Sequence, residues 1–172
     1  MLLKYSVSNF KSIGHNIDFS MFPTKPDIDE KYTKTIQTKA GTWKILKRGA
    51  FYGPNASGKS SFVESIDYAR SFVVDGTPSG KGTGLNQFKG DFEDLDGQSV
   101  FQFTFLAEDN EIYEYGFSLD GRQVYEEWLM LLTQSGFAPL FERQTDTEEK
   151  TKIEITSTFA RKNSKNSLGY NR

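Results

Sequence analysis

The feature that most constrains the fold is a glycine-rich loop between a predicted strand and a predicted helix. Residues 45–52 form an apolar run that predicts a buried strand, and apolar residues after Lys59 recur at helical spacing as far as Val73. Between them lies a segment with the spacing G-x-x-x-x-G-K-S, which is Gly53-Pro54-Asn55-Ala56-Ser57-Gly58-Lys59-Ser60. Strand, glycine loop and helix in this order are the context that a phosphate-binding P-loop requires, whereas a merely glycine-rich turn needs no such context.

The spacing of this loop has a physical cause. Gly53 and Gly58 let the backbone curl without a clashing Cβ, so that successive N–H groups point inward at an anion. The helix that begins near Lys59 adds the positive end of its dipole. We expect Lys59 to reach the β- and γ-phosphates of ATP and the Ser60 hydroxyl to ligate Mg²⁺. Ser61 is included as the last residue of the predicted nucleotide-binding segment. Its side chain is expected to lie just inside the helix and to have no direct role.

Composition excludes several classes of protein. The chain has 21 basic and 23 acidic side chains, so its net charge of −2 gives no global reason to expect nucleic acid or an anionic membrane as a partner. It has no cysteine, which excludes disulfides and thiolate metal sites. No apolar run approaches the roughly 20 residues of a membrane-spanning helix. These features predict a cytoplasmic protein.

Most of the remaining sequence alternates with a period of two. Residues 2–21 predict a β-hairpin, and polar residues 22–41 predict a loop. A second loop is predicted at 76–98, followed by an antiparallel β-meander over 99–157. The predicted fold class is therefore α/β, with a mixed sheet that carries the P-loop and its helix and a meander packed beside it.

Three segments resemble a known branch of P-loop proteins. Residues 3–13, with Asn9-Phe10-Lys11-Ser12, resemble the N-terminal "N-F-K/R-S" strand and turn of RecF- and SMC-like ATPases. Residues 53–61 resemble their "G-x-N-x-x-G-K-S" loop. Residues 112–117, followed by Glu126-Glu127-Trp128-Leu129, resemble a subgroup of prokaryotic AAA ATPases with an ABC-type head. The resemblance covers most of residues 1–157.

The resemblance implies an activity and further site residues. Such proteins bind Mg-ATP in each of two heads of a homodimer and hydrolyse it to drive a conformational change; some relatives act in DNA repair, abortive infection or phage defence. It implies that Lys11 and Ser12 lie near the phosphates, although a solvated hairpin turn explains them equally well. It also implies a glutamine near the metal and the attacking water. Gln87 is the preferred candidate, Gln98 and Gln102 are alternatives, and each is also explained as an ordinary polar residue. The sequence leaves a nucleic acid or protein partner undetermined.

Other parts of an ABC-type head are not evident. Such heads need an apolar strand that ends in Asp-Glu, a serine-glycine signature and a late histidine. Residues 103–109 imitate the strand, but their alternation predicts a meander strand with a polar turn, so Glu108 is not expected to be catalytic. The one histidine, His15, lies in the N-terminal turn. The catalytic residues are thus unknown, and hydrolysis by this chain alone is expected to be slow or absent.

These gaps lead to a domain assignment and two rival functions. Residues 1–160 are expected to form the N-terminal lobe of a head, and the polar tail 161–172 to begin a helical insertion. One rival is a non-catalytic nucleotide-binding or dimerisation domain, which phosphate-release assays would distinguish. The other is a small P-loop kinase, but kinases usually open with the P-loop strand and need an arginine-bearing lid. Residues 76–98 contain no arginine.

Overall fold

A seven-stranded antiparallel sheet with one α-helix on its face organises the chain. A computed structural model describes residues 1–25, 27–76, 81–90, 97–146 and 148–156. The described residues form nine strands, which in chain order are β1 Leu2–Ser8, β2 Ile17–Ser20, β3 Thr33–Thr38, β4 Gly41–Leu46, β5 Ser99–Leu106, β6 Ile112–Leu119, β7 Val124–Thr133, β8 Gly136–Thr145 and β9 Thr151–Ile155. Helix α1 is Lys59–Asp75, and a short 3₁₀ turn is Glu30–Tyr32. The described helices lack the length and apolar character that a membrane span requires.

Strand β1 joins the N-terminal hairpin to the meander. The strand order in the large sheet is β2-β1-β5-β6-β7-β8-β9. Tyr5 lies opposite Phe19 of β2 on one side and opposite Phe103 of β5 on the other. The N-terminal hairpin and the five meander strands are confirmed, but the mixed sheet is wrong, because every strand pair in the described residues is antiparallel. The apolar stripes of β1 and β5 share one face, so the meander extends this sheet instead of packing beside it.

Helix α1 begins and ends as its sequence predicts. It follows Gly58, which has a φ of 87°, and it stops at Gly76, whose N–H donates to the Phe72 carbonyl at 3.1 Å. Phe62 and Ala69 are buried against the β1–β5–β6 face of the sheet. The predicted helix over these residues is confirmed.

The same contact contains a buried hydrogen bond. The Tyr5 hydroxyl donates to Ser65 Oγ at 2.9 Å, and Ser65 Oγ donates to the Phe62 carbonyl at 2.6 Å. Burial raises the pKa of Tyr5. This chain of bonds fixes the first half of α1 over β1.

Strands β3 and β4 form a separate hairpin and correct two predictions. The predicted loop 22–41 contains the 3₁₀ turn and β3, because the β-branched Thr33, Thr35 and Ile36 favour a strand. The predicted strand 45–52 is wrong: β4 ends at Leu46, and residues 47–53 belong to no strand.

The segment from 47 to 53 is held by other contacts. Lys47 is anchored to the 3₁₀ turn, with its N–H donating to the Tyr32 carbonyl at 2.9 Å. A Cβ at Gly49 would lie 2.5 Å from the Phe19 ring. The Phe51 ring lies 4.4 Å from that of Phe62. This segment is thus held by one backbone hydrogen bond and by side-chain packing, and not by strand pairing.

A second apolar cluster lies under the β3–β4 hairpin. It joins the hairpin to the large sheet through buried residues of five strands, which are Leu3, Ile36, Ile45, Ile112 and Leu132. The predicted loop 76–98 has no regular element in its described part, residues 81–90 and 97–98. The predicted tail 161–172 lies outside the described residues.

Candidate functional site

The loop 53–58 leads directly into α1. Lys59 and Ser60 occupy the first turn of the helix, whose first N–H groups have no partner within the helix. Residues 53–57 are exposed. Unpaired N–H groups at the start of a 17-residue helix, next to an open loop, suit an anion.

The two glycines of the loop are required for different reasons. Gly58 has a φ of 87°, which is costly for a residue with a Cβ, yet a Cβ there would meet nothing closer than 3.7 Å. Gly53 does not have a left-handed φ, but a Cβ there would lie 2.9 Å from Ser57 Oγ. Ala56 also has a positive φ, 63°, so a non-glycine residue bears strain within the loop.

The Lys59 ammonium folds back onto its own loop. Its Nζ donates to the carbonyls of Gly53 at 2.8 Å and Pro54 at 2.6 Å, and it lies 3.4 Å from Ser57 Oγ. A positive charge is therefore held inside the curve of the loop, beside the N–H groups of the first helical turn. A phosphate at this position would replace the neutral carbonyl acceptors of the ammonium with anionic ones, so that both partners in each bond would be charged.

The N-terminal turn packs against the start of α1. Ser12 Oγ lies 2.6 Å from Ser61 Oγ, and the Lys11 ammonium forms an ion pair with Glu64 at 2.8 Å. Ser12 and Ile13 are also the nearest neighbours of Gly58. The structure therefore brings Lys11 and Ser12 to the start of the P-loop helix, although Ser12 and Ser61 are 49 residues apart in sequence and Lys11 and Glu64 are 53 apart.

Asn9 and Lys11 make this turn possible, since both have left-handed backbone angles, with φ of 54° and 50°. The Asn9 side chain is a link between segments: its amide nitrogen donates to the Gln98 carbonyl at 3.1 Å, and its amide oxygen accepts from the Phe88 N–H at 3.2 Å. This role of Asn9 was not predicted from the sequence. Asparagine is a common turn residue that tolerates a positive φ, so a turn at Asn9 could be predicted, although the partners of its side chain could not.

Gln87 lies in the segment that this turn holds. The Lys11 N–H donates to the carbonyl of Asn86 at 2.8 Å, and the Gln87 side-chain amide donates to the Gly97 carbonyl. Gln98 contacts the same turn, because its backbone carbonyl accepts the bond from the Asn9 side chain. Gln102 lies within β5, opposite Ser6. Of the three glutamines, Gln87 and Gln98 thus lie at the P-loop end of the sheet.

Glu108 lies at the other end. It follows β5 in the exposed turn that the alternation predicts. Phe105 pairs with Leu2 at one end of β1, and Val100 pairs with Ser8 at the other end. The length of β1 therefore separates Glu108 from the N-terminal turn by roughly 20 Å. Among the described residues, no group of three or more His, Asp or Glu side chains could hold a metal ion. His15 is exposed in the N-terminal turn.

Two aromatic residues precede the loop. Tyr52 is 92% exposed, and Phe51 is also exposed although its ring contacts Phe62 and Phe19. An exposed aromatic pair beside a phosphate loop presents apolar surface to a nucleotide base or to another chain.

One comparison with known proteins gives a match. A family model described as "AAA domain, putative AbiEii toxin, Type IV TA system" matches residues 50–167, which is more than half of the chain. The matched region begins just before the P-loop and includes α1 and the whole meander. Comparison with curated proteins and with solved structures gives no match.

Proposed function

This chain belongs to that family of AAA domains, and from this premise we propose that it binds Mg-ATP through its P-loop, residues 53–60. One observation carries the proposal: the Lys59 ammonium lies inside a loop that opens onto the N-terminus of α1. Positive charge and unpaired N–H groups converge there, and this combination recognises a polyphosphate.

Each residue of the proposed site has a defined role. The backbone of Gly53, Pro54, Asn55, Ala56, Ser57 and Gly58 surrounds the phosphates, and Lys59 binds the β- and γ-phosphates. Ser60, exposed in the first helical turn, holds Mg²⁺ through its hydroxyl. The donor set fits the metal, because Mg²⁺ takes few protein ligands and completes its shell with phosphate oxygens and water.

Lys11, Ser12 and Ser61 form the wall of the proposed site next to the helix. Ser61 Oγ is engaged with Ser12 Oγ, so Ser61 orients the N-terminal turn and does not contact the nucleotide. Lys11 is held by Glu64, and in this proposal it would turn to the phosphates only by leaving that ion pair. Gln87 is the proposed residue for the metal and the attacking water, and its support is the bond between Asn86 and Lys11.

The finer proposal is an ABC-type head related to SMC and RecF ATPases. In this proposal residues 1–160 are the N-terminal lobe, two heads form a homodimer around their nucleotides, and hydrolysis in the intact protein drives a conformational change in DNA repair or phage defence. Its support is the packing of the Asn9-Phe10-Lys11-Ser12 turn on the P-loop helix. The exposed Phe51 and Tyr52 supply apolar surface for further contacts.

Calorimetric titration with ATP in magnesium tests the binding. The chain is expected to bind in the micromolar range or tighter, and Lys59→Ala to bind at least about tenfold more weakly, since it loses the charge inside the loop. Lys47→Ala is the matched control, because Lys47 Nζ also donates to two backbone carbonyls but outside the loop. It should bind as the wild type does. No binding by the wild type, or equal binding by Lys59→Ala, would contradict the proposal.

Phosphate release from the same proteins separates catalysis from binding alone. Release above the blank that Lys59→Ala abolishes supports an ATPase. Binding without release supports a nucleotide-binding or dimerisation domain. Transfer of the phosphoryl group to a small metabolite would instead support a kinase.

A further inference from the structure

Strand β9 is the last strand of the large sheet, and one of its edges has no partner among the described residues. It pairs with β8 over all five of its residues without a register shift. All five residues are exposed, and the strand contains no proline. A regular, uncovered edge strand is a template for another strand.

The free edge belongs to the odd-numbered residues. The Thr156 N–H donates to the Leu140 carbonyl at 3.0 Å, so residue 156 directs its backbone groups towards β8. Because these directions alternate along an antiparallel strand, Lys152 and Glu154 also bond towards β8. The N–H and C=O groups of Thr151, Ile153 and Ile155 therefore point away from the sheet.

The sequence of β9 complements itself when two copies run antiparallel. We propose that a second copy of this chain pairs with β9, with Ile153 opposite its counterpart, so that two sheets join edge to edge. Ile153 in each copy exchanges both backbone bonds with the other, and Thr151 lies opposite Ile155. Lys152 lies opposite the partner's Glu154, twice, by the two-fold symmetry of the pair.

Charge selects this register over its neighbours. A pair centred on residue 152 would set two lysines opposite each other, besides two Lys150–Glu154 pairs, and a pair centred on 154 would set two glutamates opposite each other; like charges directly opposite destabilise a sheet. Within one chain, Glu154 already lies opposite Glu142 of β8. Its neutralising contact is Lys152 of the same strand, at 2.5 Å. The second copy places another ammonium beside this pair of glutamates.

The apolar face of β9 favours the same arrangement. Ile153 and Ile155 are each 56% exposed, and their side chains lie on the opposite face of the strand from the charged pair. In the proposed pair the two Ile153 side chains pack on each other, and each Ile155 packs on a threonine. β-Branched residues are well suited to such cross-strand contacts.

Charge reversal tests the proposal. The oligomeric state is measured by analytical ultracentrifugation of the whole chain, without nucleotide, over a micromolar to millimolar range. The wild type is expected to approach twice the mass of one chain as concentration rises. Lys152→Glu and Glu154→Lys should each weaken the association at least about tenfold, because each converts two attractive pairs into repulsive ones. The double variant that swaps both charges should recover the wild-type behaviour.

The matched control is Lys31→Glu. Lys31 forms an exposed ion pair with Asp29 at 3.0 Å beside the 3₁₀ turn, outside the large sheet, and its reversal should leave association unchanged. Circular dichroism checks that each variant keeps its strands. A wild type that stays at the mass of one chain, a dimer that neither single reversal weakens, or a double variant that fails to recover would each overturn the proposal. Omitting nucleotide separates this contact from a dimer held by ATP, so the outcome does not depend on the proposed function.

Discussion

At the scale of single residues, the site depends on how a few side chains are held before any ligand arrives. The Lys59 ammonium is satisfied by its own loop, at 2.8 Å from the Gly53 carbonyl and 2.6 Å from that of Pro54. A bound phosphate must compete with these contacts, but it offers the ammonium anionic acceptors in place of neutral carbonyls. The lysine is thus held at the loop where the proposed phosphate contacts would form.

Because residues 56 and 58 both have a positive φ, exchanging glycine and alanine at these two positions should change the free energy of unfolding in opposite directions. Gly58→Ala should lower the free energy of unfolding by about 1 kcal/mol, because alanine is strained at a φ of 87°. Ala56→Gly should raise the free energy of unfolding by up to about 1 kcal/mol, because glycine is not strained at a φ of 63°. The greater conformational freedom of glycine in the unfolded chain offsets part of this gain. Urea unfolding measures both.

The pair of variants supplies its own control. A Cβ at residue 58 would meet nothing closer than 3.7 Å, so steric clash does not explain a loss there. Changes of the same sign in the two variants would show that left-handed strain does not govern the stability of the loop.

At the scale of elements, helix α1 and the meander were readable from local sequence, whereas β4 was not. Strands β5 and β6 alternate with a period of two, turn residues such as Asp120-Gly121 separate strands of the meander, and α1 is bounded by Gly58 and Gly76. Such signals are local, so a sequence reveals them. The apolar run at 45–52 also resembles a strand, but the strand β4 ends at Leu46. Beyond it, Gly49 and Phe51 pack on the rings of residues that are distant in sequence, and these contacts determine the course of the backbone.

The contact between β6 and β7 contains a second testable feature. The Trp128 indole lies over Gly116, so closely that a Cβ there would be 2.2 Å from Trp128 Cζ2. Gly116→Ala should therefore lower the free energy of unfolding by about 1–3 kcal/mol, the usual range for forcing extra volume into a packed contact. Tryptophan fluorescence during urea unfolding, in a Trp43→Phe background that leaves Trp128 as the one tryptophan, reports both stability and the environment of the Trp128 ring.

Gly121→Ala is the comparison for that experiment. A Cβ at Gly121 would meet nothing within 4 Å, and its φ is not in the left-handed region, so this variant should change stability by less than about 0.5 kcal/mol. If Gly116→Ala is as stable as Gly121→Ala, the indole is not held over the glycine.

At the scale of the whole molecule, the fold was only partly predictable because β1 pairs across the sequence. The pairing of β1 with β5 joins residues about 100 positions apart, and no local pattern specifies it. Because of this pairing, the N-terminal hairpin and the meander form one antiparallel sheet, whereas the sequence predicted a mixed sheet with the meander packed beside it. It also fixes which end of the sheet faces the P-loop.

The site shows the same division between local and distant information. The loop 53–60 was predicted because its chemistry lies in consecutive residues. The contact between Lys11 and Glu64, and the bonds of the Asn9 side chain to residues 88 and 98, depend on packing between distant segments. Glu64 and Asn9 were therefore missed, while Lys11 and Ser12 were proposed through a resemblance.

In the proposed function the P-loop and the N-terminal turn together form the ATP site. Amide hydrogen exchange measured with and without Mg-ATP tests this arrangement, because it locates the ligand on the chain. Slower exchange is expected in residues 53–61 and 9–13, with no change in residues 124–145 and loss of the effect in Lys59→Ala. Unchanged exchange in 53–61 under saturating nucleotide, or slower exchange confined to the meander, would contradict it.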